Sequence, residues 1–406
     1  MHEYDVVIVG GGLVGGSLAC ALRGSGLKIA VVEAVAAGAP LHPSYDERVI
    51  ALSLGSRRIF GGMGIWESIA ADAEPIRHVH VSERGHFGFA HLDAADEGVE
   101  ALGYVAPARA IGHAIEDCLS GADDVELLRP ARLVGLHAQR DLWRLEVAVA
   151  GSSQMLQARL LVAADGGDSA VRRRLGLGVR ERGYGYDAII ATVTPERPRP
   201  GTAFERFTDS GPLAMLPMTG GRYSVVWTAR DGDTAGILAL DDDAFVAKLQ
   251  ERFGQRMGRL RKPGRRIAYP LRLVLAKQLT QPRLVLIGNA AHTLHPVAGQ
   301  GFNLGLRDVA ELAELLEDAQ RTGQDAGGNT VVDGYRKRRA PDQRSAAMLT
   351  DTLARLFVNP WAPVRVGRNL GMLGLDLLPP ARHLLAQRFM GTGGRQPRLA
   401  RGLPLT

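Results

Sequence analysis

The chain has 406 residues, 46% hydrophobic and 23% charged, a composition that excludes a disordered or fibrous protein and leaves room for two domains. Its two cysteines, Cys20 and Cys118, cannot build a disulfide framework, and no Cys/His spacing suggests a metal, so no metal is expected and a reducing cytoplasm fits best. The net charge of +6 is uneven: after residue 351 eight arginines face the single acid Asp376, so a basic tail follows a near-neutral body, and such a tail suits nucleic acid, anionic lipid or an acidic partner.

Tyr4–Val9 is the short apolar run of a buried parallel strand. Val14–Leu22 reads as a helix and Ile29–Glu33 as the next strand, together a βαβ unit. Val6–Leu22 is nearly uncharged, as a signal segment would be. It lacks a basic flank, and Gly10–Gly12 interrupts it, so it is read as strand and helix instead. The stretch Gly10-Gly11-Gly12-Leu13-Val14-Gly15 contains GxGxxG between that strand and that helix, with Glu33 at the end of the following strand. Gly10 permits the tight turn, Gly12 lets the backbone approach a pyrophosphate, and Gly15 lets helix and strand pack closely. The helix start offers free N–H groups to phosphate, and Glu33 can accept from a ribose. This motif alone does not separate NAD from FAD.

Ile76–Glu83 and His86–Leu92 predict two strands around Arg84-Gly85, and Ala110–Leu119 predicts a helix. Leu160–Asp165 and Leu284–Gly288 are further apolar strands, each followed by a glycine-rich turn and a helix. Between them, Ala188–Val193, Ala203–Phe207, Leu213–Pro217 and Tyr223–Ala229 are strand-like, with a turn at Gly220-Gly221, so residues 181–274 read as a mainly β insertion. Leu284–Leu306 is uncharged, but its histidines, asparagines, glycines and Pro296 make a poor membrane helix.

Two more motifs narrow the chemistry. Ala163-Ala164-Asp165-Gly166-Gly167-Asp168-Ser169-Ala170-Val171-Arg172 resembles the DG motif of flavoprotein aromatic hydroxylases. Gly288-Asn289-Ala290-Ala291-His292 resembles their GD motif, and it continues through Pro296 and Gly299-Gln300-Gly301-Phe302-Asn303. By that resemblance Asp165 and Gly166 contact the cofactor, and Asn289 stands where an aspartate usually holds the ribityl chain. Gly299–Asn303 reads as a loop leading into a helix from about Leu304 to Asp318. Its N–H groups can bond the flavin pyrimidine oxygen, and the helix dipole stabilises negative charge on reduced flavin. Arg48, in Asp46-Glu47-Arg48-Val49-Ile50-Ala51-Leu52, resembles the family's early arginine motif, and Arg109 matches another flavin-contacting position; the alternative for each is a surface ion pair. Arg172 belongs to the DG motif, whereas Arg173 and Arg174 read as a solvated helix face.

The resemblance spans nearly the whole chain and is to the ubiquinone-biosynthesis hydroxylases, which have the para-hydroxybenzoate hydroxylase fold. Phe207–Pro217 is similar to that subgroup's substrate-domain signature. Gly288–Pro296 is most similar to the 2-polyprenyl-6-methoxyphenol hydroxylase branch, where Asn replaces the GD aspartate. The expected fold is α/β: a Rossmann-like FAD-binding domain (residues 1–75, 101–180 and 275–350), an inserted mainly β substrate domain (76–100 and 181–274), and a helical, basic C-terminal segment (351–406). The implied reaction is ring hydroxylation of a polyprenyl phenol with O2, through a C4a-hydroperoxide of reduced FAD. NAD(P)H is a transient donor, since no second GxGxxG follows a strand. Implied partners are the polyprenyl phenol, the inner face of the membrane as a peripheral contact, and a ubiquinone-biosynthesis complex, with no nucleic acid.

No acid/base pair is readable, so the catalytic surroundings are the flavin-ring loop at Pro296, Gly299, Gln300 and Gly301. His292 and His295 are assigned packing and hydrogen-bonding roles. Leu213, Met215, Leu216 and Phe302 are either pocket wall or ordinary core. Leu353–Met390 mixes apolar residues with arginines and either lies on a membrane or packs on the body, while the Gly/Arg-rich end from Thr392 is expected to be flexible. Two other readings remain open: another flavoenzyme of this fold (a polyprenyl reductase, an epoxidase, or a halogenase, whose WxWxIP stretch is absent), or a non-catalytic subunit that holds lipid intermediates.

Overall fold

The computed structural model describes residues 2–36, 48–296, 299–359 and 361–405. Asp46 and Glu47 of the arginine motif, and Val297 and Ala298 of the flavin loop, lie outside the described residues. The chain begins with β1 (His2–Val9), α1 (Leu13–Leu22), β2 (Ile29–Val32), β3 (Val49–Ser53), α2 (Leu54–Gly62) and α3 (Trp66–Ala70). There follow β4 (Glu74–Ile76), β5 (His78–Glu83), β6 (Phe89–Asp93), β7 (Gly103–Pro107) and α4 (Ala108–Leu119). Next are β8 (Val125–Leu128), β9 (Ala131–Ala138), β10 (Trp143–Val149), β11 (Ser152–Ala163) and α5 (Ala170–Arg174). The middle of the chain holds β12 (Val179–Pro195), β13 (Thr202–Thr208), β14 (Gly211–Pro217), β15 (Tyr223–Arg230), α6 (Asp231–Leu238) and α7 (Asp242–Phe253). Five strands come next: β16 (Leu260–Arg261), β17 (Ile267–Ala276), β18 (Thr280–Gln281), β19 (Leu284–Leu286) and β20 (His292–Thr293), all short except β17. The remainder is helical: α8 (Gln300–Arg321), α9 (Asn329–Val358), α10 (Ala362–Leu377) and α11 (Pro379–Met390).

The first sheet runs β18-β19-β11-β1-β2-β8, with the β19-β11-β1-β2-β8 pairs all parallel. Its strands are apolar on both faces because helices α1, α4 and α8 cover one side and the β9–β10 ribbon closes the other. The second sheet runs β20-β17-β12-β15-β14-β13-β5-β6 and is antiparallel except where β13 meets β5. One of its faces packs on α7 through Trp227, Phe245, Leu249 and Phe253; the other is turned to the first sheet. A small sheet, β3-β7-β4, lies between them.

Several boundaries move. The second strand of the early hairpin starts at Phe89, not His86, because Arg84 to Gly88 are spent on the turn. The expected loop at Gln300–Asn303 is already helix, the first turn of α8, and only Gly299, the N-cap, has left-handed backbone at φ 60°. The expected flexible end is instead packed: Leu399, Ala400 and Leu405 are buried in the main core with Ile59 and Phe60 of α2. Cys20 and Cys118 are buried free thiols. Among the described residues, no helix is long and apolar enough to cross a membrane.

Candidate functional site

The glycine turn between β1 and α1 is fixed by how closely backbone passes backbone. Gly10 has φ 101°, and a Cβ there would sit 2.5 Å from the Ala164 carbonyl oxygen. A Cβ on Gly15 would lie 1.9 Å from the Gly10 oxygen, so only glycine lets the helix start against its own turn. Glu33 faces the same space. Its Oε2 accepts the Gly11 N–H at 2.6 Å and its Oε1 the Val35 N–H at 2.8 Å, which fixes the carboxylate beside the turn.

The DG and GD segments meet this turn from the ends of β11 and β19. Asp165 Oδ2 accepts the Val171 N–H at 3.1 Å, while Oδ1 is buried with no partner among the described residues. Thr293 Oγ1 is orphaned in the same way. Arg172 is buried and staples the two motifs together, donating to the carbonyls of Gly167 and, at 2.8 Å, Ala290. Arg173 and Arg174 are exposed, as expected, and donate to nearby carbonyls.

Behind the GD turn sits a buried ionic network. Asp308 accepts from His292 Nε2 and Arg339 Nε at 2.7 Å each, from Gln343 at 2.8 Å, and from the Gly288 N–H at 3.1 Å. Burial alone would raise the Asp308 pKa; Arg339 first, then His292, outweigh it and hold the carboxyl well below its usual range. His292 thus anchors the loop. His295 is also buried, its ring edge-on to Tyr184 at 4.9 Å, and burial lowers its pKa to about 4, so it is neutral at physiological pH.

The start of α8 closes the ring of motifs. Asn303 donates to the carbonyls of Ala51 and Gly299 at 2.8 Å each and accepts from the Ser53 N–H at 2.9 Å and Ser56 Oγ at 2.7 Å. Its side chain is saturated by protein, so any cofactor contact there is left to the main chain. Arg48 stacks over the Tyr269 ring at 4.9 Å.

The motifs meet at one cavity of about 1530 Å³. Gly10, Gly12, Glu33, Arg48, Asp165, Gly166, Asn289, Pro296 and Gly299 to Asn303 line it. Asn289 is exposed toward that space. Gly15 lies behind the turn, as its packing role requires. Arg109 is not brought in: it is exposed on the first turn of α4, outside the cavity lining. From the glycine turns the cavity continues under the second sheet, past Val81, Ala90, Ala214 and Leu216, to α9, α10 and α11. Leu216 and Phe302 are wall residues, whereas Leu213 and Met215 point to the opposite side and are core. Glu205 of β13 lies on the same wall and was not singled out from sequence.

The residues present fit FAD. A turn whose Gly10 and Gly15 leave no room for a Cβ, a helix start and unpartnered buried oxygens at Asp165 and Thr293 are what a dinucleotide with a polyol chain requires. Such a cradle, opening on an apolar chamber under a second sheet, defines a flavoprotein of the aromatic-hydroxylase fold. Residues 3–350 match the family described as FAD binding domain. The chain is 42% identical to ubiquinone hydroxylase UbiL of Rhodospirillum rubrum, over 99% of this chain and 93% of that protein. It is 32% identical to the 3-demethoxyubiquinol 3-hydroxylase of Escherichia coli, over 92% and 94%. In fold it is similar to p-nitrophenol 4-monooxygenase PnpA of Pseudomonas putida, with a TM-score of 0.78 and 19% identity over 97% of this chain and all of that one. The chain belongs to the FAD-dependent monooxygenase family that contains the ubiquinone-biosynthesis hydroxylases.

Proposed function

We propose that this enzyme hydroxylates the ring of a polyprenyl phenol intermediate of ubiquinone biosynthesis, using NAD(P)H and O2. The observation that carries the reading is the continuity of the cavity: the flavin seat opens directly into an apolar chamber that ends among the C-terminal helices. Bound FAD supplies the oxygen-activating chemistry. In this reading Gly10, Gly12 and the start of α1 hold the pyrophosphate, Glu33 the ribose, and Asp165, Gly166 and Asn289 the ribityl chain. The main chain from Gly299 to Asn303, with Pro296 and Arg48, surrounds the ring system. The chamber walls exclude water from the reacting oxygen. The first sheet with α1, α4 and α8 forms the flavin-binding domain, and the second sheet forms the substrate domain.

The surface proposed for the bilayer is the apolar ridge of α10 and α11, where Trp361, Val366, Leu370, Leu377, Leu378 and Leu384 are exposed. These helices also line the chamber through Leu375, Leu385 and Phe389, which gives a lipid substrate a short path. The arginines expected to carry this contact are largely committed elsewhere. Arg368 pairs with Glu83, Arg382 with Asp96, Arg395 with Glu314 and Arg398 with Asp318. Contact with other enzymes of the pathway is proposed at the same face.

The test is product analysis. The purified yellow protein, given NAD(P)H and a short-chain prenyl methoxyphenol, is expected to release a phenol with one added oxygen atom. Release of a reduced or epoxidised product rejects the hydroxylase reading, and donor oxidation indifferent to the phenol leaves only a binding role. Gly12→Val is expected to lose flavin, because a branched side chain blocks the pyrophosphate; a stoichiometrically yellow variant would displace the seat. Leu370→Asp with Leu377→Asp should reduce sedimentation with liposomes at unchanged flavin content; unaltered sedimentation removes the ridge from the membrane reading.

A further inference from the structure

Side chains along β13 alternate between two surroundings. Arg206 faces away from the chamber, beside Arg256, while Ala203, Glu205 and Phe207 line it. The neighbours of Glu205 across the sheet are Val81 on β5 and Ala214 on β14, and beyond Ala214 comes Val226 on β15. All of them are apolar. Among the described residues, no hydrogen bond or ion pair reaches the Glu205 carboxyl. Its remaining accessible surface opens on the chamber.

Among the described residues, the strands and the helix beside this position present uncharged side chains to the cavity. Strands β6, β14 and β15 contribute Ala90, Leu92, Leu216 and Thr228 to the wall, and α9 contributes Leu353 and Phe357. Three cations border the cavity among the described residues: Arg368 is held by Glu83, Arg48 stacks on Tyr269, and Arg132 is exposed on β9, next to Ala131 and Leu133. Of the other acids on the lining, Glu33 and Asp165 are fixed to main-chain N–H groups, and the exposed Asp168 pairs with Arg272 at 3.5 Å. A lone carboxyl on an apolar wall is costly unless a ligand uses it. Burial pushes its pKa up to about 7, where a group can both take and release a proton.

We propose that Glu205 is the catalytic base of the chamber: it accepts the hydrogen bond of the substrate's ring hydroxyl and takes that proton as the ring is attacked. This rests on the hydroxylase reading above. The phenolic O–H bond breaks, an O–H bond forms on a Glu205 carboxylate oxygen, and the electron pair left on the phenol oxygen feeds the ring carbon that gains oxygen. The proton passes to solvent when product leaves. The same hydrogen bond fixes the ring while the prenyl chain lies along the apolar wall. As the base is the ionised form, kcat rises as pH increases through about 7 and then levels.

The experiment uses the FAD-loaded enzyme, NAD(P)H and a short-chain prenyl methoxyphenol from pH 5 to 9, these limits being roughly two units either side of the Glu205 value. Glu205→Gln is expected to lower the kcat for hydroxylation by about 100-fold, to flatten its pH profile, and to leave flavin content and KM near wild type. Glu205→Asp, which retains an acid, is expected to keep a pH-dependent kcat. An infrared carboxylic-acid band titrating near neutral pH should be present in the wild type and absent from Glu205→Gln. A hydroxylating wild type with an unaltered Gln variant overturns this proposal alone. A Gln variant that loses flavin shifts the decision to Glu205→Asp, whose flat profile would overturn it. A wild type that forms no hydroxylated product overturns both readings.

Discussion

The two ends of the cavity are built on opposite principles. At the flavin end, polar groups are numerous and nearly all are pinned: Glu33 by two N–H groups, Asn303 by four hydrogen bonds, and the GD turn by the Asp308 network. At the chamber end the wall is largely apolar, and among the described residues one unpartnered acid, Glu205, faces the space. The first end recognises a ligand of fixed shape, so rigidity there is useful. The second receives a long apolar chain, so little is gained by specific polar contacts beyond one that orients the reacting ring.

The comparison breaks most severely at Asp308. Asp308→Ala leaves Arg339 and His292 buried without their shared acceptor and the Gly288 N–H unpaired. The expected cost is about 3–5 kcal/mol of folding stability, read as a lower urea midpoint together with flavin loss. A loss below about 1 kcal/mol would mean that the network is dispensable.

Glu205→Gln should act in the other direction. The native pKa of about 7 lies above the ordinary carboxyl value, so the folded state favours the proton more than the unfolded chain does. Stability is therefore lost as pH rises from the ordinary value through about 7. Removing the charge should stabilise the protein by up to about 3 kcal/mol above that range and change nothing well below it. Melting temperatures across pH test this; equal curves for the two proteins would deny Glu205 its strained environment.

The smallest effect is expected at Asn289. Asp in its place keeps an acceptor for a ribityl hydroxyl, so FAD affinity should change little. Leu removes that acceptor and should weaken binding by about 1–2 kcal/mol. Equal affinity for all three would take Asn289 out of the seat.

The flavin end was legible in sequence because its backbone requirements leave few residue choices. A turn in which an added Cβ would lie 2.5 Å from a neighbouring carbonyl oxygen admits only glycine, and such glycines recur as readable motifs. The chamber was not legible, for reasons that particular residues show. In β13, Glu205 and Arg206 are adjacent charges on opposite faces, so alternation alone does not say which one meets the cavity. Likewise Leu213 and Met215 could not be told from Leu216 until the sheet had a known inner side. The tail misled for a different reason: Arg395 and Arg398 close on Glu314 and Asp318, some 80 residues earlier, and such partners leave no local trace. Arg109 matched a motif by position, yet it is exposed and is not among the residues that line the cavity.

The proposed flavin seat is completed late in the chain. Its glycine turn lies at residues 10–15, the aspartate with one orphaned oxygen at 165, and its closing helix begins at 300. Even the strand that carries the first turn, β1, pairs with β11, whose last residue is Ala163. On the ribosome, at about 5–20 residues per second, roughly 15–60 s separate the emergence of the pyrophosphate turn from that of Asn303, whose side chain clamps residues 51–56 against α8. During that interval the nascent chain carries a phosphate cradle without walls, and apolar strands without their final neighbours. Cofactor capture is in consequence a late event of synthesis, and it coincides with the moment at which the N-terminal strands first acquire their full set of contacts.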